Sequence, residues 1–172
     1  MTEQGKTPVT LEEFDERWGQ GVEADRDIFF PEWTLDELGA FYERRFPQYT
    51  RWARTESGSE LLLQRLKNAG KKIAVASNSP TAIVRDLLDN AGLLQYPDAI
   101  IGAEQVKESK PAPDLLFKSL EVLALKKSDV CYIGDSIYDA KAAEAAGIFF
   151  VGFKREGDIS VAGCDEILQF VN

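Results

Sequence analysis

The sequence contains no histidine in its 172 residues. That excludes Ser–His and Cys–His nucleophile pairs and every histidine metal site. Acid–base chemistry must run on carboxylates, lysine, tyrosine or cysteine. Cysteine is scarce as well: Cys131 and Cys164 stand alone, with no Cys-x-x-Cys spacing that would suggest zinc or redox work. Each reads as a buried residue acting as a small apolar side chain. No apolar run approaches the ~20 residues that span a membrane. The N-terminal MTEQGKTPVT is polar and has no hydrophobic signal region. A cytoplasmic protein without a membrane partner is expected. Positive charge is in deficit: 20 Lys and Arg face 29 Asp and Glu, a net charge of −9. An acidic chain repels phosphate backbones, which argues against nucleic acid as a partner.

The residues present fall into two textures. Positions 10–68 are helical in pattern and hold ten of the eighteen aromatic residues. Thr10 with Glu13, and Thr34 with Glu37, match the Thr-x-x-Glu capping box that starts a helix. The first helix would place Leu11, Phe14 and Trp18 on one face. The second would turn Leu35, Leu38, Phe41, Tyr42 and Phe46 inward, giving a helical mini-core. A third helix spans roughly 59–69. From Lys72 onward strands and helices alternate. KIAVASN reads as a buried strand, followed by a helix with Ser79 as cap and Pro80 as first residue. A short strand covers 99–102, a helix follows Pro113, and Val130–Ile133 is a further strand. Gly134 turns the chain into an alanine-rich helix that stops at Gly147. A last strand over 148–152, a glycine-rich loop and a short helix over 165–171 close the chain. Alternation of this kind argues an α/β fold with a parallel sheet.

Three polar clusters fall at strand ends or in the loops after them, where parallel-sheet proteins place ligands. Ser77 and Asn78 close the KIAVASN strand and can donate hydrogen bonds to phosphate oxygens. Lys110, between Ser109 and two prolines, can neutralise phosphate charge and hold a carboxylate. Asp135 and Asp139 follow Gly134 at the start of a helix. Hard carboxylate oxygens beside a helix N-terminus suit Mg²⁺ shared with a phosphate.

In order and spacing the three clusters resemble motifs two, three and four of the haloacid dehalogenase-like hydrolases. A strand ends in Ser77, a Lys-Pro-x-Pro-Asp begins 33 residues later at Lys110, and Gly-Asp-Ser-x-x-Asp begins 24 residues after that lysine. The phosphoglycolate phosphatase and β-phosphoglucomutase branch is the most similar. The resemblance implies a Rossmann-like parallel core over 59–172, a helical cap over 1–58, an aspartyl-phosphate intermediate, Mg²⁺ and a small phosphorylated metabolite as substrate. It casts Ser77, with Asn78 beside it, as phosphate-binding. Lys110 would stabilise the phosphoryl group, while Asp135 and Asp139 would form the metal site.

The family's first motif, Asp-x-Asp-Gly-Thr at the end of a central first strand, is absent, and residues 1–9 are not an apolar strand. That motif supplies the nucleophile and the acid–base carboxylate. The start methionine falls late for a complete family member. Four readings follow: a truncated phosphatase, one part of a split enzyme, a phosphate-binding pseudoenzyme, or an unrelated α/β module. A homodimer or a first strand supplied in trans would restore what is missing. If the family fold forms, the KIAVAS and VCYIG strands either flank a gap filled by another segment or collapse onto each other.

Overall fold

Both Thr-x-x-Glu pairs start helices in the computed structural model, which describes residues 5, 7–50 and 52–170. Thr10 caps α1 (Leu11–Glu16) and Thr34 caps α3 (Leu35–Arg45). In each, the threonine hydroxyl accepts from the Glu backbone N–H and the Glu carboxylate accepts from the Thr backbone N–H. Between them lies α2 (Val22–Phe29), and α4 (Pro47–Thr50) follows. Phe30, Trp33 and Phe41 pack ring on ring at centroid distances of 5.1–6.4 Å above a fully buried Leu38.

The inward face expected of α1 is not buried. Leu11 is 75%, Phe14 47% and Trp18 51% exposed. The helix ends at Glu16, too short to lay an apolar stripe on a neighbour, and Trp18 lies beyond it. Leu35 at the start of α3 and Phe46 just past its end are exposed as well, while Leu38 on the same helix is buried.

The alternating part follows the expected order: α5 (Ser59–Asn68), β1 (Ala74–Ala76), α6 (Thr81–Asn90), β2 (Ala99–Ile101), α7 (Asp114–Leu123), β3 (Cys131–Gly134), α8 (Ile137–Ala146), β4 (Phe149–Phe153), β5 (Ile159–Val161) and α9 (Cys164–Leu168). Strand β5 was hidden in the sequence because three residues between glycines carry no readable period. The end of the expected last helix, Val171, lies outside the described residues. Pro80 rather than Ser79 occupies the N-cap of α6, and the Glu104 carboxylate accepts from the Thr81 N–H. That side chain supplies the acceptor the serine was expected to provide.

All strand pairing is parallel, as an α/β fold requires, but in two sheets: β1–β2 and β3–β4–β5. Strands β1 and β3 share no ladder, so among the described residues each has one unpaired edge. They flank a break and do not collapse onto each other. Ala76 packs both with Ile101 and Leu115 beside β2 and with the cluster of Leu116, Ala142, Ala143 and Phe150 beside β3. The sheets therefore lie side by side. At the start of β3, Cys131 is exposed, against expectation, because no strand covers that edge; Cys164 is buried.

Candidate active site

Lys110 is the centre of the polar network. It is 9% exposed, and its ammonium donates to the Ala76 carbonyl of β1 (3.0 Å), the Tyr132 hydroxyl of β3 (3.1 Å) and Asp139 Oδ1 of α8 (2.8 Å). An ammonium has three protons, and all three are placed. One side chain thus spans the break between the two sheets. Asn78 fixes the turn that carries it: Asn78 Oδ1 accepts from the Lys110 N–H (2.8 Å), and its amide donates to the Lys110 carbonyl (2.8 Å). The same amide donates to the Gly19 carbonyl (2.9 Å). The Asn78 side chain, assigned above to phosphate, is committed to scaffold contacts.

Asp139 is 4% exposed and fully engaged. Oδ1 accepts from Lys110 and from the Tyr132 hydroxyl; Oδ2 accepts from the Ser136 N–H (2.9 Å) and the Ser136 hydroxyl. Ser136 caps α8 and accepts in return from the Asp139 N–H (3.1 Å). Gly134 permits this closeness, since a Cβ there would stand 2.5 Å from Asp139 Cβ. Burial alone would raise the Asp139 carboxyl. The adjacent ammonium and the hydrogen bonds from Lys110, Ser136 and Tyr132 outweigh it and hold the group below its ordinary value. The same burial, with the Asp139 charge, pushes Tyr132 far above the usual phenol range.

Asp135 differs. Its side chain is exposed at the end of β3, and Oδ2 accepts one bond, from the Trp18 indole N–H at 3.2 Å. Its carbonyl accepts from Arg155 (3.2 Å). The Ser77 hydroxyl accepts from the Ser79 N–H (3.1 Å), and among the described residues it donates to nothing.

The fold thus brings Ser77, Asn78, Lys110, Asp135 and Asp139 to the C-terminal ends of β1 and β3. For a divalent ion the donor sets are unequal. Asp135 has free lone pairs, whereas the four acceptor positions of Asp139 are filled by protein donors. Among the described residues no three Cys, Asp or Glu side chains converge as a metal cluster. Mg²⁺ suits a single carboxylate when phosphate and water complete its shell, so Asp135 fits such an ion and Asp139 fits a second-layer role.

Tyr132, Trp18 and Arg155 were missed from sequence. The Ser136-x-x-Asp139 spacing, a capping-box variant not read from the sequence above, is the signal that could have shown where Asp139 points. The sequence does hold one Asp-x-Asp, Asp25-Arg26-Asp27, but it lies inside α2 and is followed by Ile28. Asp25 accepts from Gln20 (2.6 Å) and Tyr42 (2.8 Å), and Asp27 pairs with Arg26, so neither occupies a strand end. A cavity of about 250 Å³ adjoins Lys110, lined by Gly21, Glu23, Lys107, Ser109 and Pro111.

Residues 1–153 match the haloacid dehalogenase-like hydrolase family. A phosphoglycolate phosphatase of Cereibacter sphaeroides is 41% identical over 96 residues, 56% of this chain and 43% of that protein. One from Nitrosospira multiformis is 29% identical over 182 residues, 98% of this chain and 80% of that protein. The chain spans about half the length of the first curated relatives it matches. Among solved structures, CbbY from Rhodobacter sphaeroides in complex with phosphate superposes with a TM-score of 0.84 at 20% identity, covering 96% of this chain and 84% of that one. A putative phosphoglycolate phosphatase from Lactobacillus plantarum does so with 0.84 at 18%, covering 98% and 85%. These two likenesses speak to the fold; the family match speaks to descent, and the chain belongs to the haloacid dehalogenase-like hydrolases, in their phosphoglycolate phosphatase-like branch.

Proposed function

We propose that this chain carries the phosphate- and metal-handling part of a hydrolase for a small phosphate monoester, and that it turns over little by itself. One observation carries the reading: a continuous polar network joins Ala76, Asn78, Lys110, Tyr132, Ser136 and Asp139 across the ends of β1 and β3, and Ser77 and Asp135 sit next to its members in the chain with side-chain valences to spare. Ser77 has a hydroxyl to donate to a phosphoryl oxygen. Lys110 brings positive charge, and a phosphate takes up one of its three bonds, the Tyr132 hydroxyl oxygen at 3.1 Å being the weakest acceptor. Asp135 would hold Mg²⁺, which supplies charge neutralisation on the phosphoryl oxygens. Asp139 orients Lys110 through their 2.8 Å ion pair.

At the ends of β1 and β3 the described residues offer Asp135, read here as the metal ligand, and Asp139, filled by protein donors, which leaves no carboxylate to serve as nucleophile. The unpaired edges of β1 and β3 support a second reading, in which an extended segment supplied in trans pairs between them and brings that group. A non-catalytic phosphate-binding role makes the same binding prediction without the complementation.

The test is phosphate release from an aryl phosphate with Mg²⁺, beside calorimetry with inorganic phosphate. Phosphate binding that needs Mg²⁺ and Asp135, with little turnover, is expected. Fast turnover by the pure chain, abolished in Asp135→Ala, would show that another carboxylate already serves and would refute the incomplete-site reading.

A further inference from the structure

The segment from Trp18 to Gly21 joins α1 to α2 and crosses the site. It touches each of the site's three loops. The Trp18 indole donates to Asp135 Oδ2 (3.2 Å), and the Gly19 carbonyl accepts from Asn78 (2.9 Å). Gly19 has φ +89°, and a Cβ on it would stand 2.5 Å from Ser136 Cβ; one on Gly21 would stand 2.7 Å from Ser109 Oγ. This closeness is open only to residues without a side chain.

Two further contacts tie the segment to the neighbouring helices: the Trp18 ring packs on Phe14 of α1 at 5.5 Å, and the Gln20 amide donates to Asp25 of α2 (2.6 Å). Helix α1 buries no residue, and its apolar side chains face outward. Docking rests on two hydrogen bonds and close glycine contacts rather than on buried apolar area, so it is reversible at low cost.

The indole proton sits on the carboxylate oxygen that is otherwise free at this site. A cation at Asp135 and the Trp18 N–H draw on the same negative charge. We propose that Trp18 is a latch on Asp135: Mg²⁺ bound there releases the indole, and the Trp18–Gly21 segment swings from the strand ends to admit a phosphorylated ligand. This rests on the reading of Asp135 as the metal ligand. The coupling is reciprocal, so whatever affinity the latch takes from Mg²⁺, Mg²⁺ takes from the latch. One partly exposed hydrogen bond to a charged oxygen corresponds to roughly a three- to tenfold change in affinity.

The experiment follows the indole N–H signals of the ¹⁵N-labelled chain during titration with MgCl₂ alone. There are three tryptophans, and loss of one signal in Trp18→Phe assigns it. The Trp18 signal is expected to move saturably while those of Trp33 and Trp52 stay. Calorimetry is expected to show Trp18→Phe binding Mg²⁺ roughly three- to tenfold tighter than the parent, with Asp135→Asn abolishing binding in both. Asp135-dependent Mg²⁺ binding with an unmoved Trp18 signal and equal affinities would overturn the latch and leave the metal reading standing. No Asp135-dependent binding in either protein would overturn both.

Discussion

Replacing Lys110 by methionine tests the centre of the network. Methionine keeps most of the methylene stem and removes the charge, leaving Asp139 4% exposed and without its cation. At an effective dielectric near 20, a 2.8 Å pair attracts by about 6 kcal/mol, set against a desolvation cost of several kcal/mol for each ion. Removing one partner exposes that cost, and the loss for a buried pair is about 3–5 kcal/mol. For a domain of this size that lowers the melting temperature by about 10 °C. Urea unfolding followed by circular dichroism gives the free energy directly. The pH dependence gives a second, sharper reading. In the parent, the Asp139 pKa is depressed on folding. Its contribution is therefore complete above the ordinary carboxylate pKa of about 4 and is lost as pH falls through the lower folded value. In Lys110→Met the causes that depress the pKa are largely removed while burial remains, so the folded state takes up the proton readily. The gap between the two proteins is expected to narrow from neutral pH towards pH 4 and below. The double variant Lys110→Met/Asp139→Leu should recover most of the loss. A Lys110→Met cost below about 1 kcal/mol, or a gap that ignores pH, would mean that solvent already screens the pair, as it does at exposed pairs, and would refute the argument.

Two further outcomes follow from local geometry. Ser136→Ala removes the α8 N-cap and one donor to Asp139; about 1–2 kcal/mol of stability should go, read as a lower urea midpoint at unchanged slope. A neutral result would show that water replaces the hydroxyl. Gly19→Ala forces a side chain into a left-handed backbone and against Ser136, at a local cost of about 1–2 kcal/mol. Because the segment is held by few contacts, it should detach without unfolding the core. Tryptic cleavage after Arg17 should quicken while the melting temperature stays near that of the parent, and a drop of several degrees would place the segment in the cooperative core instead.

The order of elements was legible because it rests on local signals. The capping boxes at Thr10 and Thr34, the apolar run before Gly134 and the left-handed Gly147 after α8 each act within one turn of chain. The outward face of α1 was not legible. Leu11, Phe14 and Trp18 have a helical spacing, but spacing reports which residues share a face and not whether anything covers it. Cys131 failed for the related reason that a strand's burial depends on its neighbours in the sheet, and among the described residues β3 has one on one side only.

The candidate site divides along the same line. Its location at the strand ends could be read from Gly134-Asp135 and from the turn after Ala76, because the chain itself fixes where a strand stops. The partner sets could not, because they are set by residues 7 to 117 apart in sequence, Tyr132 with Asp139 and Trp18 with Asp135 being the extremes outside the turn itself. Asp135 and Asp139 looked alike in sequence, two carboxylates four residues apart on one turn. Packing separates them. Asp139 is turned inward, where Lys110, Tyr132 and Ser136 fill every acceptor position. Asp135 is turned outward, with a single weak donor. A carboxylate already filled by protein donors gains nothing from an arriving cation that those donors do not already provide, whereas one with a single exposed partner can exchange it. The two aspartates therefore differ by geometry: one is paired to the lysine and holds it in place, and the other keeps open acceptor positions towards solvent.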